Sequence, residues 1–153
     1  MRKIALSISE IKDIENREFS RLGDSFKLME QAGEACAKQI IKIYKKNRFI
    51  IICGPGNNGG DGLILSSCLS ESGKEVDLYC LGKNNYKGDS LKAYKKNKLK
   101  KKPIEELNIN QDAVIVDALF GIGLNKKIEG VFKDCVDRIN NSKLKLKSNN
   151  KRN

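Results

Sequence analysis

Two glycine-rich segments carry most of the side chains in this sequence that could do chemistry. Residues 54–62 read GPGNNGGDG and combine flexible glycines with the amides of Asn57 and Asn58 and the carboxylate of Asp61. Residues 117–124 read DALFGIGL and begin with a second carboxylate, Asp117. Carboxylate and amide oxygens are ligands for hard cations, and the same groups suit a hydroxyl-rich or amide-bearing small molecule. The pattern predicts a polar ligand site that could include an oxygen-coordinated cation.

The sequence contains no histidine and five cysteines, and this composition excludes several kinds of site. Without histidine there are no Ser–His or Cys–His nucleophile pairs, and the commonest zinc ligand is missing. The cysteines are odd in number and include no C-x-x-C pair, so we expect reduced, mostly buried thiols and neither a disulfide framework nor a zinc site. Any chemistry must therefore use carboxylates, amides, backbone dipoles or a bound ion.

Each glycine-rich segment follows a predicted strand. Short apolar runs at residues 49–53 and 112–118 predict strands buried on both faces, and the alternation of residues 75–81 predicts a third strand. Apolar spacing and capping residues predict helices over residues 7–22, 25–46, 63–72, 89–98 and 129–140. The order of elements predicts an α/β, three-layer fold with a mostly parallel sheet, preceded by two N-terminal helices. Ligands of such sheets bind beyond the carboxyl ends of the strands, where both glycine-rich segments fall.

The first segment also matches the G-x-G-x-x-G pattern of dinucleotide-binding turns, through Gly54, Gly56 and Gly59. Two features disagree with a standard NAD site. Asp77 comes too early in its strand to reach the ribose hydroxyls, and Asp61 places a negative charge near the helix N-terminus, where it would repel a pyrophosphate. We therefore do not predict a standard dinucleotide site here.

The carboxylates and amides also have structural interpretations. Asp61 could cap the following helix, and Asn57 and Asn58 could only turn the chain. Asp117 is harder to explain in this way, because it ends a strand that is predicted to be buried. A buried acid without a partner costs several kcal/mol, on the order of a lost charge-assisted hydrogen bond or more. The sequence therefore predicts a metal-binding or ligand-binding role for Asp117.

The net charge of +11 is concentrated in two blocks. Residues 92–102 contain seven lysines and residues 143–153 contain five basic residues, while the rest of the chain is near neutral. We expect a solvated helix face and a basic tail, and no nucleic-acid partner, because aromatic residues are scarce in both blocks. No apolar run approaches the ~18 residues of a membrane span and no signal peptide is visible, so we expect no membrane partner and a cytoplasmic protein.

Three motifs together resemble the NAD(P)H-hydrate epimerase family, also described as the YjeF N-terminal domain. They are residues 28–33 (LMEQAG), residues 54–62 and residues 117–124. The resemblance implies a Rossmann-like homodimer that binds a potassium ion and interconverts the R and S forms of NADHX and NADPHX, which are nicotinamide nucleotides hydrated at ring carbon 6. It implies loss and return of hydroxide through a ring cation, with a carboxylate as acid and base, and NAD(P)H-hydrate dehydratase as the functional partner.

The resemblance also implies roles for individual residues. Asn58 and Asp117 would be the side-chain ligands of potassium. The substrate-binding residues would come from both glycine-rich segments and the two lysines that follow the second one. These are Asn57, Asn58, Gly59, Gly60, Asp61, Gly121, Ile122, Gly123, Leu124, Asn125, Lys126 and Lys127. The part of the chain from residue 121 to residue 127 would wrap the nucleotide phosphates.

The resemblance further implies that one domain, residues 1–142, is incomplete and is followed by a basic tail, residues 143–153, expected to be disordered. Relatives would continue with further strands and with a turn that carries the Asp expected in catalysis. In this interpretation the last strands are missing and the catalytic residue is unknown. The alternatives are a catalytically inactive, truncated fragment that still binds nucleotide or protein, and a small nucleic-acid-binding protein.

Overall fold

The computed structural model describes residue 17 and residues 23–109, 112–121 and 127–142. The helices are α1 (Ser25–Ile43), α2 (Asn57–Glu71), α3 (Gly88–Lys96) and α4 (Gly130–Asn141), and the strands are β1 (Arg48–Cys53), β2 (Glu75–Cys80), β3 (Lys101–Lys102) and β4 (Ala113–Ala118). Two short 3-10 helices cover Lys83–Asn85 and Ile104–Glu106. The helix predicted over residues 7–22, apart from residue 17, and the tail at 143–153 lie outside the described residues.

The described strands form one parallel sheet with the order β3-β2-β1-β4. The continuous apolar run of residues 49–53 forms the central strand, and its side chains have 0% exposure. In the paired register Cys53 aligns with Cys80 on one side and with Ala118 on the other. The carboxyl ends of β1, β2 and β4 therefore lie at the same edge of the sheet, as predicted.

Helices cover both faces of the sheet. On one face, Phe49, Ile51 and Leu78 pack in a core shared with α1, α2 and α3. On the other face, Ile50 and Ile52 pack against residues of α4. Alternate residues of β1 supply the two cores, because successive side chains of a strand point to opposite faces. The predicted three-layer α/β fold with a parallel sheet is confirmed.

Helix α1 begins where predicted but buries only part of its predicted apolar face. Asp24 caps it by accepting a hydrogen bond from the Phe26 N–H at 2.9 Å. The sequence pattern places seven residues on that face, which are Leu28, Met29, Ala32, Ala35, Cys36, Ile40 and Ile43. Met29 is buried, together with Gly33 and Ala37, whereas Ala35, Cys36 and Ile43 are exposed. The prediction was wrong there because Gly33 allows the helix to approach α2 so closely that a Cβ at position 33 would lie 2.5 Å from the Ile64 Cβ.

The lysine-rich block is only in part a solvated helix face. Helix α3 ends at Lys96, and Lys101 and Lys102 form the short strand β3 with half-buried side chains. Lys102 binds the Asp77 carboxylate at 2.5 Å, and the Lys101 ammonium lies 4.9 Å from the centre of the Tyr94 ring. The sequence analysis did not predict this strand, because a run of lysines is typical of an exposed helix and not of a strand.

Asn97 connects α3 to α2 through a buried network that the sequence did not indicate. Its Nδ2 donates to the Leu63 carbonyl oxygen at 2.8 Å and to the Ser66 hydroxyl at 2.8 Å, and its Oδ1 accepts from the Leu99 N–H at 2.9 Å. The residue is 6% exposed. Because water has little access to this buried amide, its hydrogen bonds should contribute to the stability of the fold.

We expect Asn97→Ala to lower the free energy of unfolding by about 2 kcal/mol, because it leaves buried polar groups without partners. Urea denaturation monitored by circular dichroism measures this change. The matched control is Asn84→Ala, at an exposed position of the first 3-10 helix, which should change stability by less than about 0.5 kcal/mol. Equal effects at the two positions would show that the network carries no stability.

Candidate functional site

The two glycine-rich segments meet at the carboxyl edge of the sheet. The Gly54 N–H donates to the Ala118 carbonyl oxygen at 3.0 Å, which continues the β1–β4 pairing into both turns. The Asn58 Nδ2 donates to the Phe120 carbonyl oxygen at 2.9 Å. A side chain of the first segment is thus bonded to the backbone of the second, and the two segments form one continuous site.

Most of the first segment is helical. The sequence predicts a loop through residue 62, but α2 begins at Asn57, with Gly56 as an N-cap that makes no side-chain capping bond. The first backbone N–H groups of a helix have no partner within the helix, and they favour a polar or anionic ligand. Asn57 is exposed and Asn58 is half-buried at this terminus. The amides therefore lie on the first helical turn, which makes their positions more rigid than those of loop residues.

Two glycines, Gly54 and Gly59, allow the first segment to pack directly against neighbouring backbone. A Cβ at Gly54 would lie 2.1 Å from the Leu119 carbonyl oxygen, and a Cβ at Gly59 would lie 1.7 Å from the Gly54 carbonyl oxygen. At Gly60 a Cβ would instead meet the flexible end of the Met29 side chain at 2.5 Å, and at Gly56 it would meet nothing within 4 Å. Gly59 and Gly60 are both buried, so the contact with a ligand that the resemblance implies for them stays a prediction.

Residues outside both segments fix the turn after β1. The Cys53 carbonyl oxygen accepts from the Leu81 N–H at 2.9 Å and from the Tyr86 hydroxyl at 3.2 Å. The Ser90 hydroxyl lies 2.7 Å from the Pro55 carbonyl oxygen. The sequence analysis missed Tyr86 and Ser90. The only signal in the sequence was that both residues follow β2. The chain leaves β2 at the carboxyl edge of the sheet, where the turn after β1 also lies.

Asp117 is exposed, which corrects the prediction of a buried carboxylate. Among the described strands β4 pairs only with β1, so none of the described strands covers the other side of β4 near this acid. The Asp117 Oδ1 accepts from the Leu119 N–H at 3.0 Å. Asp117 pairs with Ile52, whose side chain packs against α4, so Asp117 lies on the α4 side of the sheet. Burial, and secondly the charge of Asp117, raise the pKa of Cys135 to about 11.

Asn58 and Asp117 thus approach the edge from opposite faces of the sheet, and a ligand shared by both must lie beyond the strand ends. Within the described ranges no three Cys, Asp or Glu side chains come together in a way that could hold a metal ion. A cation at this edge would be bound by amide, carboxylate and backbone carbonyl oxygens. Hard cations prefer oxygen ligands of this kind. The assignment of both residues as potassium ligands stays a prediction.

Asp61 is the fifth residue of α2 and is half-buried, so it is not the helix cap that the sequence analysis considered. Burial, and then the Asp61 charge, raise the pKa of the Cys36 thiol. The carboxylate therefore lies within electrostatic reach of α1. Its contact with a substrate stays a prediction.

The second segment is described only in part. Gly121 is exposed, and a Cβ there would lie 3.9 Å from the Asn58 Cβ. Lys127 is also exposed, and its ammonium lies 3.7 Å from a Glu129 carboxylate oxygen. Five predicted substrate-binding residues lie outside the described residues, and their roles stay predictions. They are Ile122, Gly123, Leu124, Asn125 and Lys126.

Asp77 belongs to the opposite part of β2 and is bonded within the protein. Arg48 and Lys102 both bind its carboxylate, each at 2.5 Å. Burial opposes ionisation, but the hydrogen bonds from Lys102 and Arg48 outweigh it and hold the pKa of Asp77 below its usual value. The carboxylate is occupied by these partners, which agrees with its exclusion as a ribose ligand.

Because the pKa of Asp77 is lowered on folding, its contribution to stability is complete above the unfolded value of about 4 and is lost as the pH falls through the folded value. We expect Asp77→Asn to lower the free energy of unfolding by about 1 kcal/mol at pH 7. The difference from the parent should shrink below about pH 4. Urea denaturation at pH 7, 5 and 3 measures it. Glu75→Gln, which removes an exposed carboxylate of the same strand, is the control.

A family described as "YjeF-related protein N-terminus" matches residues 25–149, which include α1, the site and α4. The chain belongs to this family. A relative from Elusimicrobium minutum, named NAD(P)H-hydrate epimerase, is 32% identical over 151 residues, covering 87% of this chain and 67% of the relative. The recognition of the family from three motifs is confirmed.

Other relatives place the same unit in proteins of different length. An Entamoeba histolytica protein named NAD(P)H-hydrate epimerase is 37% identical over 129 residues, covering 78% of this chain and 55% of the relative. A Thermofilum pendens protein named bifunctional NAD(P)H-hydrate repair enzyme Nnr is 32% identical, covering 88% of this chain and 28% of its own length. The YjeF-related chain thus spans between a quarter and two thirds of these relatives.

A solved structure confirms the fold. The crystal structure of yeast ynu0 superposes with a TM-score of 0.68 and 23% sequence identity, covering 89% of this chain and 65% of that one. In the part of the YjeF-related chain that the structure describes, none of the helices is both long and apolar enough to span a bilayer.

Proposed function

We propose that this chain is an isomerase that interconverts the R and S forms of hydrated NADH and NADPH in nicotinamide nucleotide repair. The observation that carries the proposal is the hydrogen bond between Asn58 and the Phe120 carbonyl, which joins the two glycine-rich segments into one site. Several relatives that share this stretch of chain are named NAD(P)H-hydrate epimerase, which supports the same activity here.

The described residues can supply binding groups for such a substrate. The first N–H groups of α2 have no partner within the helix and can donate to polar groups of the substrate, and the side chain of Asn57 is exposed beside them. Asn58 is held in place by Phe120, so its amide oxygen is positioned before a ligand arrives. Preorganised groups of this kind lower the entropic cost of binding.

The reaction at ring carbon 6 requires a group that donates a proton to the hydroxyl as it leaves and takes the proton back as water adds again. A negative carboxylate near the ring would stabilise its positive charge. The described carboxylate of the second segment is Asp117, whose Oδ1 is fixed by the Leu119 N–H. We assign Asp117 to the proposed cation and not to proton transfer. We leave the principal catalytic residue unassigned.

We also propose a potassium ion at this site, held by the Asn58 amide oxygen and the Asp117 carboxylate. Both donors are oxygens at one edge of the sheet, and this donor set fits a hard monovalent cation. When bound, the ion would neutralise the Asp117 charge and favour a phosphate-bearing ligand. Residues 54–62 would provide the remaining ligands through backbone carbonyls.

The test follows the interconversion of R and S NADPHX by chiral chromatography in potassium and in sodium buffer at equal ionic strength. We expect interconversion above the uncatalysed rate, and a faster rate in potassium. Binding of NADPHX by calorimetry without interconversion would contradict the epimerase proposal and support the alternative of an inactive binding fragment. A lack of both would contradict both. Equal rates in the two salts would overturn only the potassium proposal.

The remaining expectations are proposals of the same kind. We propose a homodimer, which sedimentation velocity tests directly, and a cytoplasmic location. We infer that the product passes to NAD(P)H-hydrate dehydratase, because some relatives carry the name bifunctional repair enzyme.

The alternative of nucleic-acid binding predicts an affinity that falls steeply between about 50 and 200 mM salt. Fluorescence anisotropy with a labelled oligonucleotide measures that dependence.

A further inference from the structure

Two cysteines face each other at the ends of β1 and β2. Cys53 and Cys80 are paired residues in the parallel register, and both are free thiols. Neighbouring strands lie about 4.8 Å apart, which falls within the Cα–Cα range of about 4.4–6.8 Å that a disulfide spans. Both side chains contribute to the core on the α2 face of the sheet, so they project to the same side.

The two thiols differ in exposure and in acidity. Cys53 has 0% exposure, whereas Cys80 is half-buried. The neighbouring Cys80 thiol, and then burial, raise the pKa of Cys53 well above its ordinary value. The neighbouring Cys53 thiol lowers the pKa of Cys80, against the effect of burial and with smaller contributions from Tyr86 and the charge of Lys101. Cys80 is thus the more reactive and more accessible thiol.

The surroundings of Cys80 bring a cation to the pair. Lys101 lies over the ring of Tyr94 at 4.9 Å, and Tyr94 stacks on Tyr86 at a centroid distance of 4.8 Å. Tyr86 in turn donates to the Cys53 carbonyl oxygen. Lys101 pairs with Leu78, two residues before Cys80, so its positive charge favours the Cys80 thiolate, which is the form that reacts with oxidants.

We propose that Cys53 and Cys80 are an oxidisable dithiol, which hydrogen peroxide converts to a disulfide at the base of the turn that carries Asn57 and Asn58. The Cys80 thiolate attacks one peroxide oxygen, which breaks the O–O bond and forms a sulfenic acid and hydroxide. The Cys53 sulfur then attacks the Cys80 sulfur, and the sulfenic hydroxyl leaves as water with the Cys53 proton. Two thiols and one peroxide give one disulfide and two waters.

The bridge would change the packing under α2. A Cβ at Gly62 would lie 2.9 Å from the Cys53 Sγ, so this sulfur lies directly against the helix backbone. A bond to Cys80 draws the sulfur toward β2 and away from α2. The formation of the bridge is independent of any ligand. Only its effect on binding at the Asn58 turn, an expected decrease in NADPHX affinity, rests on the proposed function.

The test treats the reduced full chain with increasing hydrogen peroxide, blocks the remaining thiols with N-ethylmaleimide and maps the peptides by mass spectrometry without reduction. We expect a product with three blocked thiols and one cross-linked peptide pair that contains Cys53 and Cys80. Cys36→Ser removes the exposed thiol and should leave the Cys53–Cys80 cross-linked pair unchanged, with two blocked thiols in place of three. Cys135→Ser, on the opposite face of the sheet, is the second control.

Two results would overturn the proposal. One is oxidation of Cys36 alone while both Cys53 and Cys80 are blocked by N-ethylmaleimide under denaturing conditions. The other is a cross-link from Cys80 to a cysteine other than Cys53. In Cys53→Ser, the sulfenic acid of Cys80 should persist and react with dimedone. Should that variant not fold, the peptide map of the parent protein decides alone, and epimerase activity does not enter the result.

Discussion

Replacing Gly59 by alanine is expected to lower the free energy of unfolding by about 3 kcal/mol and to abolish ligand binding at the site. The added Cβ would lie 1.7 Å from the Gly54 carbonyl oxygen, so the backbone of the turn or the start of α2 must move. Either movement displaces Asn58 from the Phe120 carbonyl. Urea denaturation gives the stability change, and calorimetry with NADPHX gives the affinity.

Gly56→Ala is the matched control, because it adds the same atom to the same segment. Gly56 has a φ of −81°, which alanine adopts readily, and a Cβ there meets nothing within 4 Å. We expect a stability change of less than about 0.5 kcal/mol and unchanged affinity. If Gly59→Ala changed the stability and the affinity as little as Gly56→Ala, this would contradict the close contact between Gly59 and the Gly54 carbonyl.

Asn58→Ala is the second substitution with a large expected effect. It removes the hydrogen bond between the two glycine-rich segments and the amide oxygen proposed for the cation. Each lost interaction contributes about 1–2 kcal/mol, so kcat/KM for NADPHX interconversion should fall by about 100-fold. Stability should decrease by only about 1 kcal/mol, because the amide is half-buried. The potassium dependence of the rate should also disappear.

The control for Asn58→Ala makes the same change at the other end of β1. Asn47 is exposed and precedes the strand, so Asn47→Ala should leave kcat/KM within about twofold of the parent. Retention of the potassium dependence in Asn58→Ala would contradict the assignment of this residue as a cation ligand. A loss of activity that only follows a loss of folded protein would remove the functional argument.

The sequence was sufficient for elements whose signal is local. The apolar run of residues 49–53 predicted the central strand because a strand buried on both faces needs apolar residues throughout. Two capping residues, Asp24 and Ser25, predicted the start of α1, and the structure shows that Asp24 is the cap. The placement of both glycine-rich segments at one edge followed from the parallel order of strands, and the bond from Asn58 to Phe120 confirms that they meet.

The errors concern features that depend on distant partners. Asp117 was predicted to be buried because its strand is apolar, yet the exposure of a residue depends on which strands flank it, and β4 lies at an edge of the described sheet. Strand β3 was missed because two lysines become a strand only by pairing with β2. The role of Tyr86 depends on a carbonyl 33 residues away, which no local pattern encodes.

The contact at Gly59 has a consequence for genetic suppression. The group that a side chain at this position would strike is a backbone carbonyl, and every amino acid at position 54 carries that carbonyl. No substitution of the contacting residue can therefore make room, and a screen for suppressors of Gly59→Ala should return none at position 54. Gly60 differs, because a Cβ there meets the end of the Met29 side chain. A shorter residue at position 29 removes the two nearest contacts and leaves the Ser90 Cα at 3.3 Å, so it should rescue Gly60→Ala in part. Two adjacent glycines of one motif thus differ in whether a second substitution can compensate for their replacement.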